Sequence, residues 1–317
     1  MPHTDRNTLP LIVVTGPTAC GKTRRAVTLA QHLGAEIISA DSRQVYRGMD
    51  IGTGKDLDEY GSTPYHLIDV ADAGEKYNLY RFLRDYGNAA SDIRGRGHGI
   101  ILCGGTGMYL EAVLNGLRLP EVPENPNLRH SLKGLTLDQL SAHLASMKTL
   151  HNTTDIDTPA RAIRAIEIET YYLEHPGMSQ AVRPDAAQRP DALVLLMDID
   201  RDSRRRRITE RLRSRLNAGM VDEVRRLIDG GVSPETLLYY GLEYKYLTLY
   251  ITGEIAYDEM VRQLEIAIHQ FAKRQMTWFR GMERRGFTLH PIPWDISDED
   301  FVAEVDILLR RHATTGQ

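Results

Sequence analysis

Gly16, Pro17, Thr18, Ala19, Cys20, Gly21, Lys22 and Thr23 spell G-x-x-x-x-G-K-T, the residue set in this chain best suited to chemistry. Glycines let a backbone fold tightly around oxyanions, several N–H groups then point inward, and Lys22 adds a full positive charge. The Thr23 hydroxyl is placed to ligate Mg²⁺. The run before the loop, Leu11-Ile12-Val13-Val14-Thr15, is apolar and β-branched, and the run after it, Arg24 to Leu33, reads as a helix. Strand before and helix after turn a short pattern into a phosphate site, because a helix N-terminus adds positive potential. The loop leaves open whether bound phosphate is transferred, hydrolysed or expelled.

Two more polar clusters follow short apolar runs. Glu36 to Ala40 reads as a strand and ends at Asp41-Ser42-Arg43-Gln44. A carboxylate at a strand end can hold a metal or take a proton from a substrate. An Asp-Ser pair also caps helices, but capping leaves Arg43, Gln44 and Arg47 unexplained. Gly99 to Cys103 is a buried-type strand that ends in Gly104-Gly105-Thr106-Gly107. In open α/β sheets, ligands bind at the carboxyl ends of parallel strands, so three such ends carrying polar residues converge on one site.

The elements that must position these groups alternate. Strands are expected at 9–15, 36–40, 65–70, 99–103 and 191–199, with helices at 21–33, 78–95 and from 108. That order predicts an α/β fold: a parallel sheet with helices on both faces. Pro120, Pro123 and Pro126 break the pattern, and 127–180 reads as helical. The simplest organisation is a first part of the core (1–119), a helical insertion (120–187) and a second part of the core (188–317). Long helices are expected at 202–229 and 256–281, a short extended piece at 288–293, and a last helix at 298–311.

Bulk properties set bounds. Of 317 residues, 42% are hydrophobic and 26% charged, as in ordinary globular proteins. No apolar run approaches a membrane span, and the first ten residues lack the apolar segment of a secretory signal. Two cysteines, Cys20 and Cys103, exclude a disulfide framework and a four-cysteine zinc site, and fit a cytoplasmic protein. Net charge is −4, yet 201–215 holds eight arginines, and Lys273, Arg274, Arg280, Arg284 and Arg285 form a second basic stretch. Local basic surface on a mildly acidic chain is compatible with a nucleic-acid partner, and equally with a solvated helix face.

Taken together, the loop 16–23, Asp41-Ser-Arg-Gln-Val-Tyr-Arg-Gly-Met-Asp-Ile-Gly-Thr53 and Gly104-Gly-Thr106 resemble the tRNA dimethylallyltransferases, also called isopentenyl-tRNA transferases. Arg161-Ala-Ile-Arg-Ala-Ile-Glu167, Gly219-Met-Val-Asp-Glu-Val224 and Ala272-Lys-Arg-Gln-Met-Thr-Trp-Phe-Arg280 are similar to three further motifs of that family, in the same order. The resemblance implies a P-loop kinase-like fold with a helical insertion that grips RNA. It implies transfer of a dimethylallyl group from dimethylallyl diphosphate to N6 of the adenosine beside the tRNA anticodon, with diphosphate released and Mg²⁺ as cofactor. It further implies Asp41 as proton acceptor and Thr106 as a hydrogen-bonding partner near the reacting groups. Residues 16–23 would hold the diphosphate, and Arg207 or Arg211, of which Arg211 is favoured, would clamp it. Ser42, Arg43 and Gln44 would hold the flipped base in the anticodon stem-loop, and Arg129, Arg161, Arg164, Lys273, Arg274 and Gln275 would contact tRNA or, for the last three, bridge the core. Trp278 and Phe279 are expected in the core. A monomer with no membrane partner is expected.

The chain departs from the family pattern at several places. G-T-A-K-P reads Gly52-Thr53-Gly54-Lys55-Asp56, G-Y-R-E reads Gly241-Leu242-Glu243-Tyr244, the insertion is short, and Cys20 replaces a common serine. Three other functions compete: an isopentenyltransferase acting on free adenine nucleotides, a small-molecule P-loop kinase, and a non-catalytic RNA-binding relative.

Overall fold

The computed structural model describes residues 9–149, 154–179 and 189–315. The chain divides into two units, Met1–Asn115 with Arg189–Gln317, and Gly116–Gln188.

The first unit is built on six strands: β1 (Leu11–Thr15), β2 (Ala35–Ser39), β3 (Tyr65–His66), β4 (Gly99–Gly104), β5 (Ala192–Asp198) and β6 (Leu289–Pro293). They form one parallel sheet in the order β3-β2-β4-β1-β5-β6. β1, β2 and β4 are buried along their whole length, as strands covered on both faces must be. Alternate side chains feed two cores. Ile12, Val14, Ile101 and Leu195 pack with α1 (Lys22–Leu33) and α13 (Asp298–Thr315). Leu11, Val13, Leu102 and Leu196 pack with α2 (Leu79–Gly95), α3 (Gly107–Leu114) and the end of α12 (Tyr257–Arg284). A third core joins Val45, Tyr46 and Met49 to α8 (Arg201–Asn217), α9 (Met220–Asp229), α10 (Pro234–Leu237), α11 (Leu242–Ile251) and α12.

The sequence reading needs four corrections in this unit. The strand expected at 65–70 ends at His66, because Leu67 and Asp69 have φ of 63° and 57°, outside strand geometry. The helix expected over 202–229 is two, parted at Gly219, where φ is 94°. Residues 230–255, for which no element is expected, hold α10, capped by Ser233, and α11. The extended piece near 288–293 is a sixth strand that pairs with β5, from Val194 with Leu289 to Asp198 with Pro293.

The second unit is helical: α4 (Pro126–Leu132), α5 (Leu137–Met147), α6 (Pro159–Glu174) and α7 (Pro176–Ser179). Asn125, Thr136 and Thr158 each cap the helix that follows, Thr136 in a reciprocal box with Gln139. Leu132, Leu140, Leu144, Ala162 and Ile166 form its core. The expected helical run over 127–180 is therefore several short helices; its residues 150–153 and 180 lie outside the described ones.

Candidate active site

The ends of β1, β2 and β4 meet in a cleft of about 930 Å³ that lies within the first unit. Thr18, Lys22, Thr23, Asp41, Thr106 and Arg211 all face it. Its position follows from the sheet order, since β1 sits between β4 and β5 and its loop must leave the sheet beside the ends of its neighbours.

Two long-range contacts hold the phosphate loop. The Thr18 N–H donates to Gln275 Oε1 at 2.9 Å, and Gln275 Nε2 donates to the Gly105 carbonyl at 3.0 Å. Gln275 is buried and thus ties the loop to the end of β4. Ala19 sits at φ 64°, a left-handed conformation that costs a residue with a Cβ about 1 kcal/mol. Arg207 Nε donates to the Ala19 carbonyl at 2.7 Å, and its guanidinium lies 4.7 Å from the centre of the Trp294 ring. Arg207 therefore braces the strained loop and also lines the cleft. Lys22 makes no ion pair among the described residues, which leaves its charge for an anion in the cleft.

Opposite the loop, Asp41 and Thr106 are brought together by the sheet. A Cβ on Gly104 would lie 2.3 Å from the Ala40 carbonyl oxygen, so only glycine lets the ends of β2 and β4 approach this closely. The Ala40 N–H donates to the Cys103 carbonyl at 2.7 Å and the Thr106 N–H to the Ala40 carbonyl at 3.2 Å. The Ser42 N–H then donates to Thr106 Oγ1 at 3.1 Å, and the Arg43 N–H to Asp41 Oδ1 at 2.9 Å. Asp41 Oδ2 has no hydrogen bond among the described residues and is the atom available to a substrate. Gln44 is buried: its Oε1 accepts from the Ser39 hydroxyl and its Nε2 donates to the Gly54 carbonyl, both at 2.9 Å. Arg43 Nη1 reaches the Tyr239 carbonyl at 3.4 Å.

The third wall carries arginines and carboxylates together. Arg211 Nη2 and Arg215 Nη2 lie 2.9 and 3.5 Å from Asp56 Oδ2. Desolvation, then the neighbouring charge of Arg211, pushes Arg215 down to about 10, and it stays protonated at neutral pH. Desolvation also raises the Glu243 carboxyl above its ordinary range, with Arg215 and Arg211 holding it back.

The loop that carries Asp56 is anchored on both sides. Glu223 accepts the N–H groups of Asp50, Ile51 and Gly52 at 2.8, 2.7 and 3.0 Å, and the Tyr244 hydroxyl at 2.7 Å. Lys55 is wholly buried; its ammonium donates to the Tyr46 carbonyl and Asp50 at 2.7 and 2.5 Å, and to Asp69.

The cleft also has apolar lining. Met108, Phe271 and Trp278 line it, and all three are exposed. Phe279 is buried as expected, whereas Trp278 is 42% exposed. The reason is local: the Trp278 ring lies against Gly107, with an indole carbon 2.2 Å from where a Cβ would be. Arg274 lines the cleft next to Phe271, while Lys273 is exposed on the same helix and outside the lining.

Arg129, Arg161 and Arg164 belong to the second unit and pair there with its own carboxylates. Arg129 grips Glu167 with Nε and Nη2 at 3.0 and 2.9 Å, and Glu124 with Nη1 at 3.0 Å. Arg164 also pairs with Glu167, and Arg161 with Asp157 at 2.8 Å. Asp56, Arg215, Glu243 and the Glu223–Tyr244 pair were not among the sequence candidates. Glu223 could have been found, since it sits in the quoted stretch 219–224; Asp56 and Glu243 stand where the chain leaves the family pattern.

For Mg²⁺, the chemistry of the donors is the test. No group of three or more His, Cys, Asp or Glu among the described residues could hold a metal ion. A Thr23 hydroxyl at the start of α1 fits an ion that keeps its waters and arrives with a diphosphate, as Mg²⁺ does.

The model of the IPP transferase family matches residues 44–282, and that of the isopentenyl transferases matches 9–63. A tRNA dimethylallyltransferase of Bacteroides fragilis is 58% identical over 284 residues, 88% of this chain and 91% of the relative. One of Parabacteroides distasonis is 56% identical over 297 residues, 92% of this chain and 95% of the relative. The crystal structure of the full-length tRNA isopentenylpyrophosphate transferase of Bacillus halodurans is 27% identical, has a TM-score of 0.69, and is covered over 98% of this chain and 99% of that one. A eukaryotic dimethylallyltransferase acting on tRNA, 23% identical with a TM-score of 0.74 over 94% of this chain and 77% of that one, shares the fold.

Proposed function

Because the chain belongs to the IPP transferase family, we propose that it is a tRNA dimethylallyltransferase whose transfer site is the cleft at the ends of β1, β2 and β4. It moves a dimethylallyl group from dimethylallyl diphosphate to N6 of the adenosine beside the tRNA anticodon and releases diphosphate. The observation that carries the reading is the meeting, in one cleft, of an anion-binding loop, a strand-end carboxylate with a free oxygen, and an apolar wall.

Each part has a job. The N–H groups of residues 16–23, the Lys22 ammonium and Arg211 bind the diphosphate and take up charge as the allylic C–O bond breaks. Fixed dipoles and cations in a water-poor site are commonly the largest contribution to such a rate. Arg207 acts through the Ala19 carbonyl, keeping the loop in its strained form. Met108, Phe271 and Trp278 give the dimethylallyl group an apolar place to lie. The adenine amine attacks the allylic carbon, the N6–C bond forms, and Asp41 Oδ2 receives the amine proton. Thr106, fixed by the Ser42 N–H, orients the base beside it. Mg²⁺, held through Thr23, would neutralise charge on the diphosphate.

The target adenosine leaves its stack to reach Asp41. Ser42, Arg43 and Arg274 face the cleft and are assigned to the flipped nucleotide; Lys273 is assigned to the backbone nearby. The buried Gln44 and Gln275 serve by holding those neighbours in place. Arg161 in the second unit offers its charge to RNA phosphates, with Arg129 and Arg164 stiffening the helices around it. No helix among the described residues is long and apolar enough to cross a membrane, and the enzyme is proposed to act as a cytoplasmic monomer.

Labelled dimethylallyl diphosphate, offered with either tRNA or AMP, tests the reading. Label in tRNA and none in AMP is the expected outcome; label in AMP alone would replace the acceptor, and ATP-dependent phosphorylation without prenyl transfer would replace the reaction.

A further inference from the structure

Arg211, the arginine assigned to the diphosphate, is already engaged. Its Nη2 lies 2.9 Å from Asp56 Oδ2, inside the cleft that Lys22 and Thr23 face. Asp56 stands where the pattern of the family that the chain resembles has proline.

The surroundings decide which partner can move. Asp56 is held at φ 47°, a left-handed conformation that costs a non-glycine residue energy and persists only where neighbours enforce it. They do so here. Glu223 fixes the backbone of 50–52, buried Lys55 pins the next residue, and Gln44 Nε2 holds the Gly54 carbonyl. Gly54, at φ 63°, lets the arginines pack across the loop: a Cβ there would lie 1.5 Å from Arg215 Nη2 and 2.3 Å from Arg211 Nη2. The loop is therefore rigid and presents its carboxylate at a set place. Arg215 is the more buried arginine, with 14% of its side chain exposed, against 30% for Arg211. Arg211 is the more exposed member and lines the cleft.

We propose that Asp56 is a resident competitor for the diphosphate, holding Arg211 through its exposed carboxylate until a diphosphate takes the guanidinium over. Two effects follow, and both weaken diphosphate binding. Arg211 must break its pair with Asp56, and the Asp56 charge then remains close to the bound anion. The device acts on substrate and product alike, so it favours release of inorganic diphosphate after transfer. The proposal rests on the reading of the cleft as a diphosphate site.

Calorimetric titration of the full chain with inorganic diphosphate and Mg²⁺ tests it, comparing the native protein with Asp56→Asn, Asp56→Ser and Lys22→Ala. The two neutral variants at 56 are expected to bind diphosphate about three- to tenfold more tightly, the range set by one exposed ion pair and one removed like charge. Lys22→Ala is expected to weaken binding. Both Asp56 variants binding as the native protein does, or more weakly, while Lys22→Ala still loses affinity, would overturn the proposal and leave the diphosphate site standing. No binding to the native protein or to either Asp56 variant would overturn the diphosphate site and this proposal with it. Using two substitutions guards against a folding defect in either, and thermal melting of each identifies one.

Discussion

Two arginine clusters in this molecule differ in what holds them. In the first unit, Arg211 and Arg215 share Asp56, whose side chain is 42% exposed. In the second, Arg129 and Arg164 share Glu167, whose side chain is 1% exposed and also accepts the Asn125 N–H at 2.5 Å. Although desolvation pulls it the other way, hydrogen bonds from Arg129, the Asn125 N–H and Arg164 hold Glu167 down to about 2. A buried carboxylate with four N–H donors cannot be given up without leaving unmatched charge, so its arginines are structural. An exposed carboxylate with no further donor can be exchanged for a ligand, so its arginines can work in binding.

The contrast can be broken from either side. The largest effect is expected at the chemistry of the cleft: Asp41→Ala should lower the transfer rate by about 10² to 10⁴, measured in single turnovers on tRNA, and a native rate would remove Asp41 as proton acceptor. Lys22→Ala should follow at about 10² to 10³, the usual cost of losing one donor to a developing anion. Glu167→Ala should spare the KM for dimethylallyl diphosphate and cost about 2 kcal/mol of stability. That is below the usual loss for a broken buried pair, because both arginines remain about a third exposed. Arg211→Lys should raise the KM for dimethylallyl diphosphate about tenfold, since a point charge cannot make the forked contact. A smaller, graded effect is expected with acid. Glu167 has a folded pKa of about 2 against an ordinary 4.5, so its stabilisation is full above 4.5 and lost as pH falls towards 2. Melting curves of Glu167→Gln across that window should be flatter than those of the native protein.

What could be read in advance was local. The phosphate loop lies between a strand and a helix that its own neighbours specify, and Asp41 and Thr106 end apolar runs that had to be strands. The other cleft residues depend on distant partners. The start of the loop that carries Asp56 is held by Glu223, far along the chain, and Arg211 and Arg215 reach Asp56 from α8. Gln275 carries amide groups that suit RNA as well as backbone, and only the fold shows them spent on Thr18 and Gly105. The general burial of aromatic rings places Trp278 in the core; it is exposed, with its ring against the glycine that starts α3 at the cleft. β6 is short and bears two prolines, Pro291 and Pro293, which strand patterning disfavours but an edge strand tolerates.

A cleft that prenylates an adenosine in tRNA leaves a modified nucleoside that can be recovered. The direct measurement is mass analysis of nucleosides from unmodified tRNA after incubation with the native protein, Mg²⁺ and dimethylallyl diphosphate. Adenosine carrying one dimethylallyl group at N6 is expected, with diphosphate released in equal amount. Unchanged tRNA nucleosides from a folded protein that consumes dimethylallyl diphosphate on another acceptor would contradict it.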